Sequence, residues 1–261
     1  MTGFTIPPGY VALSAPGVEG AALAALETPL RDALAEKTFY EFAEHHPEAL
    51  PLAGRGIAYA VPLSNGDRVV VRRSRHGGML GALQDDRFVG ATRAPRELEL
   101  SLSLRRLGVP TPEIVAYATY PAGAMFRRAD VVSRKIPHSR DLASALGALS
   151  RGAPKRTLLD ATARLLAALS MAGARHPDLN IKNVLIARGD SAVPEAYVLD
   201  VDRVWLDVPG APAVLQANLR RLTRSALQWR RLHALPLEEA DQLALETTAR
   251  ELISHWRCRA A

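Results

Sequence analysis

The chain has 261 residues, 48% hydrophobic and 23% charged, a balance that excludes intrinsic disorder and collagen-like architecture. At this length roughly 70–75% of the unfolded surface can be buried without disulfides, and the single cysteine, Cys258, excludes an internal disulfide and a multi-cysteine metal site. The net charge of +6 comes from 33 basic and 27 acidic residues, and only Lys37, Lys135, Lys155 and Lys182 among the basic ones are lysines. GC-rich coding accounts for such an arginine excess as readily as an anionic partner does. No basic run reaches five or six residues, which argues against a nucleic-acid-binding tail. The first basic residue is Arg31, so neither a secretory signal nor a transit peptide is expected, and no run of 18 apolar residues is present. A cytoplasmic protein is expected, with room for peripheral contact at an anionic membrane.

In chain order, residues 1–22 are rich in Gly, Pro and Ala and read as a loose lead-in; residues 23–46 read as helical. Two β-rich runs, 57–61 and 68–73, flank Ser64-Asn65-Gly66-Asp67, and Asn-Gly between such runs is a strong hairpin signal. A helix over 95–107 follows, with Pro95 at its start, Gly108 at its end and Pro110 beyond. Strands are expected at 113–119 and 129–136. The character then changes: a helix at 156–173, short β runs at 183–187 and 196–201, and helices at 213–232 and 236–256. Leu215, Leu219, Leu222, Ala226 and Trp229 form the apolar stripe of the first of these last two, with Arg220, Arg221 and Arg224 off it. The expected organisation is an extension over 1–50, a β-rich N-lobe over 51–136 and a helical C-lobe over 137–261.

Chemistry concentrates in His176-Pro-Asp178-Leu-Asn180-Ile-Lys-Asn183, which is followed thirteen residues later by Ala196-Tyr-Val-Leu-Asp200-Val-Asp202. Phosphoryl transfer needs a carboxylate beside the attacking hydroxyl and oxygen ligands for metal ions that bridge nucleotide phosphates. His-x-Asp-x-x-x-x-Asn followed by an Asp that ends a β run supplies them: Asp178 as base, Asn183 and Asp200 as magnesium ligands. The competing reading is a surface loop with turn-forming Asp and Asn; the spacing of Asp200 counts against it. Gly54-Arg-Gly56, before the hairpin, lets backbone N–H groups approach phosphates, though Gly-x-Gly alone is often just a turn. A kinase also needs a strand cation paired with a Glu on the next helix. No lysine lies between Gly54 and Arg134. Arg72 and Arg73 are both candidates, alternation lets only one face the nucleotide, and Glu97 and Glu99 sit on the next helix. A solvated arginine-rich edge strand is the bland alternative. Cys258, His45, His46 and His255 carry no motif, and no hydrolase elbow, zinc-protease motif or Walker lysine loop is present.

The order Gly54-Arg-Gly56, Val-Val-Val-Arg72, Arg75-His-Gly77-Gly78, Glu97, Leu107-Gly-Val-Pro-Thr-Pro112, His176-x-Asp178-Leu-Asn180-x-x-Asn183 and Leu199-Asp-Val-Asp202-Arg203 resembles the Kdo (3-deoxy-D-manno-octulosonic acid) kinases of the lipopolysaccharide kinase group. Asn218-Leu-Arg-Arg-Leu-Thr-Arg224-Ser225 is similar to a helix typical of that group. The resemblance covers roughly residues 50–230. It implies an α+β, two-lobed, protein-kinase-like fold with ATP and Mg2+ between the lobes. It also implies Asp178 as base, Asn183 and Asp200 as metal ligands, Arg72 as the phosphate-pairing cation, Glu97 as its partner, and Gly54 and Gly56 in the nucleotide loop. The acceptor implied is Kdo on a lipid A precursor at the cytoplasmic face of the inner membrane. Ser74-Arg75-His76 and Val201 depart from the usual pattern, where a more Tyr/Arg-rich stretch and a Phe are common. A small-molecule phosphotransferase of the aminoglycoside or choline kind shares the catalytic loop but not the arginine-rich helix. A non-catalytic pseudokinase binding an anionic surface would explain the missing lysine, but it has no need of Asp178, Asn183 and Asp200 together.

Overall fold

The computed structural model describes residues 5–35, 37–52, 57–74, 86, 88–149, 155–188 and 193–260. The chain divides into two compact units: Met1–Ser101 with Glu113–Lys135, and Leu102–Pro112 with Ile136–Ala261.

The first unit is built on an eight-stranded sheet: β1 (Tyr10–Ala15), β2 (Val18–Leu23), β3 (Leu50–Leu52), β4 (Ala58–Pro62), β5 (Arg68–Arg73), β6 (Phe88–Val89), β7 (Ile114–Pro121) and β8 (Phe126–Arg134). The order in space is β1-β2-β7-β8-β5-β4-β3, with β6 on β8, and every pairing is antiparallel. Helices α1 (Glu27–Leu34), α2 (Phe39–His45) and the start of α3 (Ala94–Arg106) complete it.

The lead-in expected over residues 1–22 is instead the β1–β2 hairpin. Pro16-Gly17 makes its turn, with Gly17 at φ +75°. Gly20 lies so close to β7 that a Cβ there would sit 2.1 Å from the Tyr117 carbonyl oxygen. Leu13 and Ala22 enter the same core as Leu30, Phe39, Val69 and Val71. The helix expected over 23–46 is broken in two. Thr38 starts α2 with a capping box, its hydroxyl accepting from the Glu41 N–H while the Glu41 carboxylate accepts from the Thr38 N–H. The expected Asn-Gly hairpin joins β4 and β5, with Gly66 at φ +85° and the Asn65 side chain accepting from the Asp67 N–H.

The second unit is mostly helical. Its helices are α4 (Leu142–Gly147), α5 (Arg156–Met171), α6 (Pro212–His233) and α7 (Glu239–Ala260). Its strands are β9 (Ser139–Asp141), β10 (Ala174–Arg175), β11 (Val184–Arg188), β12 (Pro194–Val198) and β13 (Trp205–Leu206), arranged as a β12-β11-β9 sheet and a β10-β13 ribbon. The inner face of α5, including Leu165, Leu166 and Leu169, packs with Leu215, Leu219 and Leu222 of α6 and with Leu245, Ala249 and Ile253 of α7. Truncating one such buried leucine to alanine costs about 2–5 kcal/mol. The β-rich first half and helical second half make an α+β protein.

Candidate active site

The short path from α5 to the His176–Asn183 segment is set by Gly173. Its φ is +71°, and a Cβ there would lie 2.2 Å from the Asp207 carbonyl oxygen, so only glycine fits. After β10 the chain runs through His176–Asn183 into β11. Because β11 and β12 pair antiparallel with Val184 opposite Val198, the residues just before β11 and just after β12 share one end of the ladder. Asn183 and Leu199-Asp200 are those residues, and the Leu199 N–H donates to the Asn183 carbonyl at 2.9 Å. Asp200 holds a left-handed backbone, φ +55° and ψ +52°. That costs a non-glycine residue about 1 kcal/mol or more and is least unfavourable for Asp and Asn.

His176 ties the two segments together. It is 2% exposed. Its Nε2–H donates to the Leu199 carbonyl at 2.9 Å, and its Nδ1 accepts from the Asp178 N–H at 3.2 Å. Both bonds need a neutral ring protonated at Nε2. Burial holds the imidazole pKa below its ordinary value, although the Leu199 carbonyl and the Asp200 and Asp178 carboxylates act the other way. Asn180 fixes the turn between Asp178 and Asn183. Its Oδ1 accepts from the Lys182 and Asn183 N–H groups at 2.9 and 3.1 Å, and its Nδ2 donates to the Asp178 carbonyl. Asn183 Nδ2 donates to the same carbonyl at 3.0 Å, which orients the amide and turns its oxygen away from that carbonyl. An amide oxygen and a carboxylate at one end of a ladder are hard oxygen donors, the set a hard divalent cation takes.

Helix α6 supports this segment from below. Asn218, fully buried, accepts from the His176 N–H at 3.0 Å and donates to the Ala174 carbonyl at 2.9 Å. Ser225 Oγ accepts from the Ile181 N–H at 3.1 Å. Seven residues are two helical turns, so both side chains leave α6 on one face. Trp229 lies on that face too, with Lys182 Nζ 5.3 Å from its ring centroid and 2.9 Å from Asp141 Oδ2. Asn218, Asn180 and Ser225 stand within the sequence motifs, but the motifs alone assign them no task. A polar residue inside an apolar helical stripe was the available signal for Asn218.

In the first unit, Val69 and Val71 of β5 point into the core, and Val70 and Arg72 point the other way. Arg72 forms an ion pair with Glu97 in the first turn of α3, and Glu97 is 3% exposed. Arg73, on the opposite face, lies 4.1 Å over the Tyr40 ring and 3.6 Å from Asp86. The choice that alternation left open is thereby resolved for the Glu97 partner. Gly54 and Gly56, and the stretch Arg75-His76-Gly77-Gly78, lie outside the described residues.

A model of the lipopolysaccharide kinase (Kdo/WaaP) family matches residues 52–248. The chain belongs to that family. It is 34% identical over 181 residues to a 3-deoxy-D-manno-octulosonic acid kinase of Xanthomonas oryzae pv. oryzae, covering 68% of each chain. It is 31% identical over 177 residues to the enzyme of that name from Vibrio parahaemolyticus, covering 66% of this chain and 70% of the other. A solved structure of WaaP in complex with acyl carrier protein aligns with a TM-score of 0.48 at 21% identity, over 86% of this chain and 96% of that one.

Proposed function

We propose that this member of the family transfers the γ-phosphoryl group of ATP to a hydroxyl of Kdo on a lipid A precursor, in lipopolysaccharide biosynthesis. The supporting observation is the His176 bridge, which holds the Asp178 segment and the Leu199-Asp200 segment in one hydrogen-bonded assembly. In this reading Asp178 takes the proton of the acceptor hydroxyl as its oxygen bonds to the γ-phosphorus and the bond to the β-bridging oxygen of ATP breaks. Asn183 and Asp200 hold Mg2+, which when bound neutralises charge on the phosphate oxygens. Arg72, oriented by Glu97, pairs with nucleotide phosphates through a bidentate fork where other kinases use a lysine. Gly54 and Gly56 contribute backbone N–H groups to those phosphates. The first unit handles the nucleotide and the second carries the catalytic segment. The acceptor places the chain at the cytoplasmic face of the inner membrane, and no described helix is long and apolar enough to cross one.

The test is phosphate transfer from labelled ATP, with Mg2+, to a panel of Kdo-bearing lipid A precursor, an aminoglycoside and choline. Label on the Kdo-bearing precursor alone is expected. Label on the aminoglycoside or choline, or ATP turnover with none of the three, would overturn the assignment.

A further inference from the structure

The net charge is distributed unevenly. The first unit holds 14 basic and 14 acidic residues, and the second holds 19 and 13, so the whole surplus of +6 belongs to the second. Within it, α6 carries Arg220, Arg221, Arg224, Arg230 and Arg231 and no acidic residue. All five are exposed, and none has an ion pair among the described residues. Four exposed arginines elsewhere are neutralised locally, Arg31 by Glu27, Arg68 by Glu48, Arg127 by Glu19 and Arg250 by Glu246; Arg106, Arg140, Arg188 and Arg203 are also exposed without an ion pair among the described residues, but α6 is where five such arginines share one helix. At about 100° per residue, Arg220, Arg224 and Arg231 fall within about 40° of one another, a stripe roughly 16 Å long. Asn218, Ser225 and Trp229, which support the catalytic segment, lie on the opposite side of the helix.

We infer that the arginine stripe of α6 is a docking surface for the phosphate plane of an anionic lipid bilayer. The inference rests on the lipid-linked acceptor proposed above and assigns the surface that brings the chain to it. Unpaired cations on a helix face attract an anionic surface, each contributing to binding within a Debye length. The ends of α6 favour a bilayer over nucleic acid. Trp205, Leu206 and Val208, exposed at 46%, 46% and 66%, lie four to seven residues before the helix, and Leu232, exposed at 67%, is in its last turn, to one side of the stripe. Tryptophan and aliphatic side chains flanking a basic helix suit the headgroup–acyl boundary. A phosphodiester backbone offers nothing to the aliphatic ones, and the stripe itself holds no aromatic residue on which bases could stack. A helix with side chains is about 10 Å thick, so docking by one face sets the catalytic segment about that far from the lipid phosphates.

The test compares the full chain with Arg220→Gln/Arg224→Gln/Arg231→Gln, since glutamine keeps helix propensity and removes charge. A control, Arg31→Gln/Arg68→Gln/Arg127→Gln, removes the same charge from the first unit. Cosedimentation with phosphatidylglycerol/phosphatidylcholine vesicles is measured across a salt series. The unaltered chain and the control should bind and be released by salt, and the stripe variant should bind roughly a hundredfold more weakly. Equal losses in the two variants would reduce the effect to net charge and overturn the assignment, as would tighter binding to an oligonucleotide of matched charge. A second readout is phosphorylation of a deacylated, water-soluble Kdo acceptor. The stripe variant should retain it in full; loss would make the arginines acceptor ligands and not a docking face. Absence of that activity in the unaltered chain, with vesicle binding intact, would defeat the kinase reading and leave the docking surface standing.

Discussion

The two units hold their candidate functional groups by different means. In the first, Arg72 and Glu97 project from a strand and a helix, and one ion pair sets their geometry. In the second, Asp178, Asn183 and Asp200 stand on irregular backbone, which His176, Asn180, Asn218 and Ser225 hold through side-chain bonds to main-chain groups. Regular elements satisfy their own backbone, so a side chain on them needs only the right register. A loop has to be given partners from outside, because each buried N–H or carbonyl left alone costs about 1–3 kcal/mol. Substitutions around the pair in the first unit should therefore be tolerated unless they touch it. Those in the second should reach the chemistry through residues that never meet a substrate.

The largest expected effect is at the proposed metal ligands. Asp200→Asn removes a carboxylate but keeps a residue that tolerates the left-handed backbone, so turnover should fall by about three orders of magnitude or more while the thermal midpoint stays within a degree or two of the parent's. Activity near the parent's, or gross unfolding, would remove Asp200 from the site.

Next comes the contrast between neighbours on β5. Arg72→Ala should lower turnover by roughly a hundredfold or more, since positioning and electrostatics carry this chemistry. Arg72→Lys should recover part of it, the charge surviving without the fork. Arg73→Ala loses a contact over Tyr40 and should appear in stability, at about 0.5–1 kcal/mol, with turnover almost unchanged. The reverse pattern in the three steady-state profiles would exchange the two roles.

A smaller effect tests the support of the loop. Ser225→Ala leaves the Ile181 N–H without its acceptor, and Ser225→Thr keeps it. The alanine variant should lose about fivefold in kcat, as expected from ~1 kcal/mol of misplaced hydrogen bonding, with little change in the KM for ATP. The threonine variant should regain most of that loss. Equal kcat in all three proteins would show that the loop keeps its geometry without α6.

The sequence disclosed these regions unequally for the same physical reason. The β4–β5 hairpin followed turn chemistry, α3 its end signals and the helical second half periodicity, and Asn183 and Asp200, expected at the ends of β runs, stand just outside β11 and β12. Periodicity could not choose between Arg72 and Arg73, because alternation fixes relative facing and not which face is the core; the packing of Val69 and Val71 with Phe39 and Leu30 decides it. The β1–β2 hairpin went unread because its glycines and alanines resemble a loop in composition, while what makes it a strand pair is the close approach of Gly20 to Tyr117 across about a hundred residues of chain. The contacts of α6 with the loop are long-range in the same way: Asn218 and Ser225 meet residues 42 and 44 positions earlier. A motif can mark such residues, but only the fold shows what they hold.

A last effect, read in stability and not in turnover, separates the units by the sign of their pH dependence. Asp130 on β8 is buried at 2% exposure, and burial pushes its carboxyl pKa up to about 7, against the opposing pull of the Tyr40 N–H, Arg73 and the Tyr120 hydroxyl, with Glu41 adding to the rise. A raised folded-state pKa means the native first unit binds a proton that the unfolded chain has released. Its stability is complete below about pH 4 and declines as pH climbs toward 7. His176 is the opposite case. Its depressed folded-state pKa means the unfolded chain binds the extra proton, so the second unit keeps its full stability above about pH 6.5 and loses it as pH falls. Each contribution is limited to one proton, about 1.4 kcal/mol per pH unit. Amide hydrogen exchange at β5 and β8, and at β11 and β12, corrected for intrinsic rates, should show the opening free energy of the first unit falling and that of the second rising between pH 5 and 7.5. Asp130→Asn should flatten the first trend and leave the second unchanged. If both units shift in the same direction, or Asp130→Asn alters neither trend, the buried carboxyl and the buried imidazole do not govern them.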